Sequence, residues 1–241
     1  MNPSRLLACF WLAFTSLLLH SQETTRFSFR QSFSIFAEYS NNSSHIALGV
    51  AENRRLAGLG LTYSRRLVHS RYIDWNYAPE LLPLVFIQNP IANTSFTVSN
   101  ATFIGSSPTV SACHPETIVV PPNPSTGFAG YSLTRACDSR WTYSGGLSPL
   151  GQRINIAPTH RIQPFLLGNG GFLVSSRDVP VNDSSSFNFT FEFGAGVEFF
   201  RDAGRSWSAE YRLHHLSNAY IGVNNPGIDS QIFKLTYTFA R

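Results

Sequence analysis

The chain has 241 residues, a formal net charge of +4, 14% aromatic residues with 20 Phe, and 13% charged residues, against a usual charged share of about 25%. A mild charge with no Lys/Arg cluster excludes a nucleic-acid-binding protein. So few charges beside so many Phe are unusual for a soluble domain and common where an outer surface faces lipid.

In chain order, the first element is a leader. Arg5 precedes the apolar run "LLACFWLAFTSLLL", Leu6 to Leu19, and "HSQ" follows it. A basic start, a short apolar core and small residues after it describe a secretory signal peptide, placed at residues 1–22. The run is shorter than the roughly 20 residues that a membrane-spanning helix needs. Residues 23–241 are then one exported domain.

That domain is dominated by period-two alternation, the pattern of strands with one apolar face. Eight strands are expected, at 27–39, 55–65, 71–82, 139–150, 160–175, 186–200, 206–217 and 230–240. The first sets Phe27, Phe29, Phe33, Ile35 and Tyr39 against Arg30, Ser32, Ser34 and Glu38. "SFNFTFEFGAGVEFF" is the cleanest, with Phe187, Phe189, Phe191, Phe193, Val197 and Phe199 opposite Asn188, Thr190, Glu192 and Glu198. The last sets Phe233, Leu235, Tyr237 and Phe239 against Lys234, Thr236 and Thr238.

The connections alternate in length. Long ones cover 40–54, 83–138, 176–185 and 218–229; short ones cover 66–70, 151–159 and 201–205. Alternation by itself fits a soluble sandwich, or a lipid-binding barrel with Phe inside, equally well. The export leader, the Phe face and the strand lengths favour an all-β, eight-stranded antiparallel outer-membrane β-barrel. Residues 83–138, with "VVPPNPSTG" and many Ser, Thr and Asn, are expected to be a long extracellular loop or insertion.

Cys9 lies in the leader, which leaves Cys113 and Cys137 as an even pair in an exported chain. They flank a polar, Pro-rich stretch, so a loop disulfide is expected and not a metal site. Glu38, Glu192, Glu198, Glu210, Arg30, Arg212 and Lys234 fall on the inward face. An eight-stranded barrel has an interior just wide enough for side chains, so these read as a self-satisfying polar network. Trp75, Tyr77, Trp141, Tyr143 and Trp207 read as aromatic girdle residues.

The segment "HHLSNAYIGVNNPGIDS", residues 214–230, interrupts this pattern. On the strand "SWSAEYRLHHLS", His215 and Ser217 share the outward face with Trp207, Tyr211 and Leu213, about 6.6 Å apart along the strand. Asp229 begins the next strand in phase with Phe233 and Leu235. Three polar residues thus stand where lipid-facing apolar ones belong, and a polar group on the lipid side needs a reason. Serine as nucleophile, histidine as base and a carboxylate to fix the histidine tautomer form the outfit of a serine hydrolase. Asn218, next to the serine, could donate its side-chain NH₂ to the oxyanion. The alternative is a polar loop tip, rich in Ser, Asn, Asp and Gly, with histidines at the membrane interface.

The stretch "HLSNAYIGVNNPGID", with His215, Ser217, Asn218 and Asp229, resembles the outer-membrane lipid A deacylases of the PagL type, and "GGLSPLG" and "GNGGF" look familial too. The resemblance implies an eight-stranded barrel with Ser217 as nucleophile, His215 as base, Asp229 as its acidic partner and Asn218 in the oxyanion hole. It implies hydrolysis of an ester-linked acyl chain of lipid A, the 3-position being that of the family. The substrate is then lipopolysaccharide in the outer leaflet, the location the bacterial outer membrane, and neither cofactor nor metal is called for. A homodimer stands as a candidate assembly. The family's usual glutamate is here an aspartate, related larger chains are labelled acyloxyacyl hydrolases, and the chain ends in Ala240–Arg241 after Phe239. The rival function is a non-enzymatic structural or adhesion barrel that binds a partner through its long outer loop.

Overall fold

The computed structural model describes residues 27–240; the leader read at 1–22 lies outside the described residues. It contains twelve strands: β1 (Gln31–Ser40), β2 (Arg55–His69), β3 (Ile73–Tyr77), β4 (Glu80–Val98), β5 (Ala101–Pro108), β6 (Glu116–Val120), β7 (Tyr131–Ser148), β8 (Gln152–Ile156), β9 (Ile162–Val179), β10 (Ser185–Asp202), β11 (Arg205–Ser217) and β12 (Ile228–Ala240).

They close into a ring of eight. β3 and β4 both pair with β2 across the Ala78–Pro79 break and act as one wall strand. β7 and β8 likewise both pair with β9. β1 bonds β12 on one side and β2 on the other, which leaves no open edge in the wall. β5 and β6 lie outside the ring, beside β4 and β7.

The alternation seen in the sequence sets the faces. On β11, Ser206, Ser208, Glu210, Arg212, His214 and Leu216 are buried, while Trp207, Ala209 and Tyr211 are exposed. Phe33, Ile35, Phe86, Phe191, Phe193, Phe233 and Leu235 are likewise exposed on the outside. Buried charge on the inside and Phe on the outside is the arrangement of a membrane barrel and the reverse of a soluble one.

The interior has two layers. Toward the end where β11 finishes, Phe36, Leu56, Val85, Ile87, Leu173, Leu216, Ile228 and Ile232 form an apolar cluster. Toward the other end lies a polar network. The Arg212 guanidinium binds Glu80 at 2.8 Å, Glu192 at 2.6 Å and Glu210 at 2.7 Å. Lys234 pairs with Glu80 at 2.7 Å and lies over the Phe36 ring. Arg153 and Asn155 hold Glu198.

Three details depart from the sequence reading. The first strand begins at Gln31, because Phe27 and Phe29 turn under the barrel and pack on Phe200. Ser28 donates to Asp74 there, and Arg66 donates to Ser28 at 2.6 Å. Arg30 is exposed just before β1 and takes no part in the interior network. Residues 83–138 carry most of β4, all of β5 and β6, and the start of β7. Beyond Gln88, where the pairing with β2 ends, β4 and β7 continue as a four-stranded sheet with β5 and β6, and β5 and β6 are exposed over nearly their whole length, so they show no apolar/polar alternation. Cys113 and Cys137 are bonded, tying the connection between β5 and β6 to β7.

Candidate active site

The outer end of the β10–β11–β12 wall carries the polar interruption. The register sets His215 directly opposite Asp229 on β12 and opposite Phe191 on β10, and Ser217 opposite Phe189. His215 Nδ1 and Asp229 Oδ1 are 2.6 Å apart. If Nδ1 carries the proton toward the carboxylate, Nε2 is left as the acceptor, the form a general base needs. Ser217 lies two residues along on the same face. Among the described residues no hydrogen bond joins its hydroxyl to His215. Such bonds are often loose before substrate binds and tighten with it.

Asp229 faces outward yet is only 2% exposed. The connection between β1 and β2 folds over it, and Asp229 Oδ2 accepts hydrogen bonds from the backbone N–H groups of Ala47 at 2.6 Å and Leu48 at 2.9 Å. Ser44 N donates to the Asp229 carbonyl at 3.1 Å. The carboxylate therefore has one oxygen for the imidazole and one held by main-chain donors. Gly49 is packed so closely that a Cβ there would lie 2.5 Å from Asp229 N. Gly227 borders the other side, where a Cβ would meet His215 Cε1 at 3.2 Å.

Asn218 is buried, and its groups organise the connection from β11 to β12. Its Nδ2 donates to Asn224 O at 2.8 Å, its backbone N–H to Asn225 Oδ1 at 3.0 Å, and its Oδ1 accepts from Tyr220 N at 2.8 Å. Sequence reasoning missed Ala47, Leu48, Gly49 and Asn225. The first three act through main-chain atoms or the lack of a side chain, which leaves no residue-type signal. Asn225 stood in plain view as one of three asparagines in the loop.

Below the pair runs a shallow groove enclosing about 40 Å³, lined by Ile46, Ala47, Phe191, Phe193, Leu213 and His215. It is apolar except at the His215–Asp229 end, so it suits a hydrocarbon chain with a polar group at one end. Around it, Leu48, Tyr220, Ile221 and Val223 expose apolar loop tips. No group of His, Cys, Asp and Glu able to hold a metal occurs among the described residues.

Fold and site together define a class: a small membrane-embedded β-barrel whose outward face carries a serine, a histidine and a carboxylate at one rim. The sequence model of the family described as "Lipid A 3-O-deacylase (PagL)" matches residues 123–238, which include all four candidate site residues. The resemblance to PagL-type lipid A deacylases is thereby shown for that part of the chain. Among solved structures, the outer membrane enzyme PagL is similar at 16% identity and a TM-score of 0.51, covering 86% of this chain and 99% of that one. Neisserial surface protein A is similar at 11% identity and a TM-score of 0.41, covering 88% and 99%. No curated protein matches the sequence. The chain has the fold of an eight-stranded outer-membrane β-barrel, and the family match over residues 123–238 is the ground for the activity proposed below. They give no support to a homodimer.

Proposed function

We propose that the protein is a serine esterase that removes an ester-linked acyl chain from lipid A, with Ser217 as nucleophile, His215 as base and Asp229 as its carboxylate partner. The observation that carries this reading is the 2.6 Å His215–Asp229 contact on the outward face, two residues before Ser217 and above an apolar groove. A hydrogen-bonded histidine–carboxylate pair there has no structural reason in a surface meant for lipid.

In the proposed mechanism the acyl chain lies in the groove against Phe191, Phe193 and Leu213. His215 Nε2 takes the Ser217 hydroxyl proton as Oγ attacks the ester carbonyl. Asp229 stabilises the imidazolium, and His215 then protonates the departing sugar oxygen. Water, activated by the same histidine, hydrolyses the acyl-enzyme and releases a fatty acid. Asn218 is the oxyanion donor in this reading: one Nδ2 hydrogen holds Asn224 O, and the second is the one offered to the oxyanion. The family supports the 3-position as the ester attacked.

The test uses protein refolded in detergent with lipopolysaccharide, and follows lipid A by mass spectrometry beside a Ser217→Ala variant. Loss of one hydroxyacyl mass with the parent alone is the expected result, and the mass identifies the chain removed. Intact lipid A with both proteins, each folded as the same heat-resistant barrel, would sink the esterase and favour the partner-binding barrel.

A further inference from the structure

The outer mouth of the barrel holds an open cleft of about 390 Å³ that the esterase mechanism does not use. Three separate segments wall it. Ser107 and Val110 come from the end of β5 and the residues after it, Val181 and Asn182 from the connection between β9 and β10, and Asn224 and Asn225 from the connection between β11 and β12. Its volume is in the range of small-ligand sites.

Two features define what it could hold. First, its polar lining is neutral: three asparagine amides and one serine hydroxyl, with valine and proline between them. A side-chain amide offers both donors and acceptors, which matches a hydroxyl group. The cation behind the wall, Arg54, is 1% exposed and already donates to Asn89 Oδ1 and to the carbonyls of Glu52, Thr109, Val110 and Pro180. An anionic group would find no charge partner in this lining.

Second, the cleft is joined to the candidate active site through one loop. Asn225 lines the cleft and accepts from the N–H of Asn218, the residue after Ser217. The same loop ends at Gly227, against the His215 ring. Asn224, Asn225 and Pro226 of this loop line the cleft, and His215, which Gly227 adjoins, lines the apolar groove. An amphiphile with its chain in the groove and a hydroxylated head in the cleft would straddle the loop at its ester.

We propose that this cleft binds the uncharged sugar portion of a glycolipid, with the projecting insertion supplying one wall through Ser107 and Val110. The placement of the ester rests on the esterase reading, whereas binding of the sugar does not. The insertion becomes a specificity element, selecting substrates by their head group while the groove selects the chain.

The experiment measures binding to the Ser217→Ala protein in detergent, with lipopolysaccharide and phosphatidylglycerol as the two probes. Asn182→Ala and Ser107→Trp are each added to it. Both are expected to weaken lipopolysaccharide binding by about tenfold, the loss of one or two neutral hydrogen bonds, and to leave phosphatidylglycerol unchanged. Unchanged lipopolysaccharide binding overturns the proposal. An equal loss for both lipids also overturns it, because the shared groove would then account for the effect. Heat-modifiable mobility reports folding, and Ser107→Ala replaces Ser107→Trp if the bulky variant fails to refold. Hydrolysis is not read in this assay. If the parent leaves lipid A intact, the esterase reading falls while the contrast between the two lipids still decides the cleft.

Discussion

Asp229 is held more by the main chain than by side chains. One carboxylate oxygen is taken by the N–H groups of Ala47 and Leu48, and the other is aimed at His215. This arrangement fixes the imidazole orientation, and two expected outcomes follow. Asp229→Asn should lower turnover by roughly 10²- to 10⁴-fold while the barrel refolds normally, since an amide can set the wrong tautomer and cannot stabilise the imidazolium. Gly49→Ala should lower it by roughly 10- to 100-fold, because a displacement of about 1 Å at a catalytic group has that effect. Its added methyl would lie 2.5 Å from Asp229 N and 2.9 Å from Asp229 Oδ1. Steady-state assays on lipopolysaccharide check both, and parent-like turnover in Gly49→Ala would show that the cradle does not matter. At this scale the sequence was legible where side chains break a pattern. His215, Ser217 and Asp229 stand out as polar residues in apolar phase. Donors at residues 47 to 49 break no pattern, because every residue but proline carries an N–H.

Among the elements, the connections at the outer rim are knitted together by Arg54. Its guanidinium joins the β1–β2, β5–β6 and β9–β10 connections through four carbonyls and reaches β4 through Asn89 Oδ1. Burial pulls its pKa down to about 10, opposed by Glu52, so it remains the cation at neutral pH. Arg54→Ala should lower the stability of the folded barrel in detergent by on the order of 3 kcal/mol, since buried carbonyls lose their donor. A shift in the urea midpoint of heat-modifiable mobility measures it. Reduction of the Cys113–Cys137 bond should act more locally, exposing the connection between β5 and β6 to protease without moving that midpoint. Loss of the whole barrel on reduction would show that the projection is integral to the wall. The ring strands could be read because one face meets lipid and the other a packed interior. The projection could not: β5 reads "ATFIGSSP" and is exposed over nearly its whole length, so neither face imposes a pattern. Only Ser99 and Asn100, both with positive φ, mark the tight turn that a two-residue hairpin requires.

For the whole molecule, the decisive feature is an interior that is filled and closed. Arg212 balances three buried carboxylates, so Arg212→Met should leave them facing one another and prevent refolding. The cost of an uncompensated buried charge is about 3–5 kcal/mol, and failure to form the heat-resistant species is the readout. With the apolar layer above this network and Phe27 and Phe29 beneath the barrel, the protein should conduct no ions across a planar bilayer. The interior charges were legible as a class from their phase, whereas the division into a polar and an apolar layer needed the register of all eight strands. The projecting sheet has a mechanical consequence as well. β4 and β7 pair from Glu80–Ser148 in the membrane wall to Thr97–Ser132 at the tip, with one bulge between Leu82 and Val85. A pull on the tip, by a neighbouring cell or a phage, would load that ladder lengthwise. Many rungs would share the force in shear instead of opening one after another like a zipper. Tension applied at the tip should therefore be borne by this ladder, while the end of β11 that carries Ser217 stands outside the line of force.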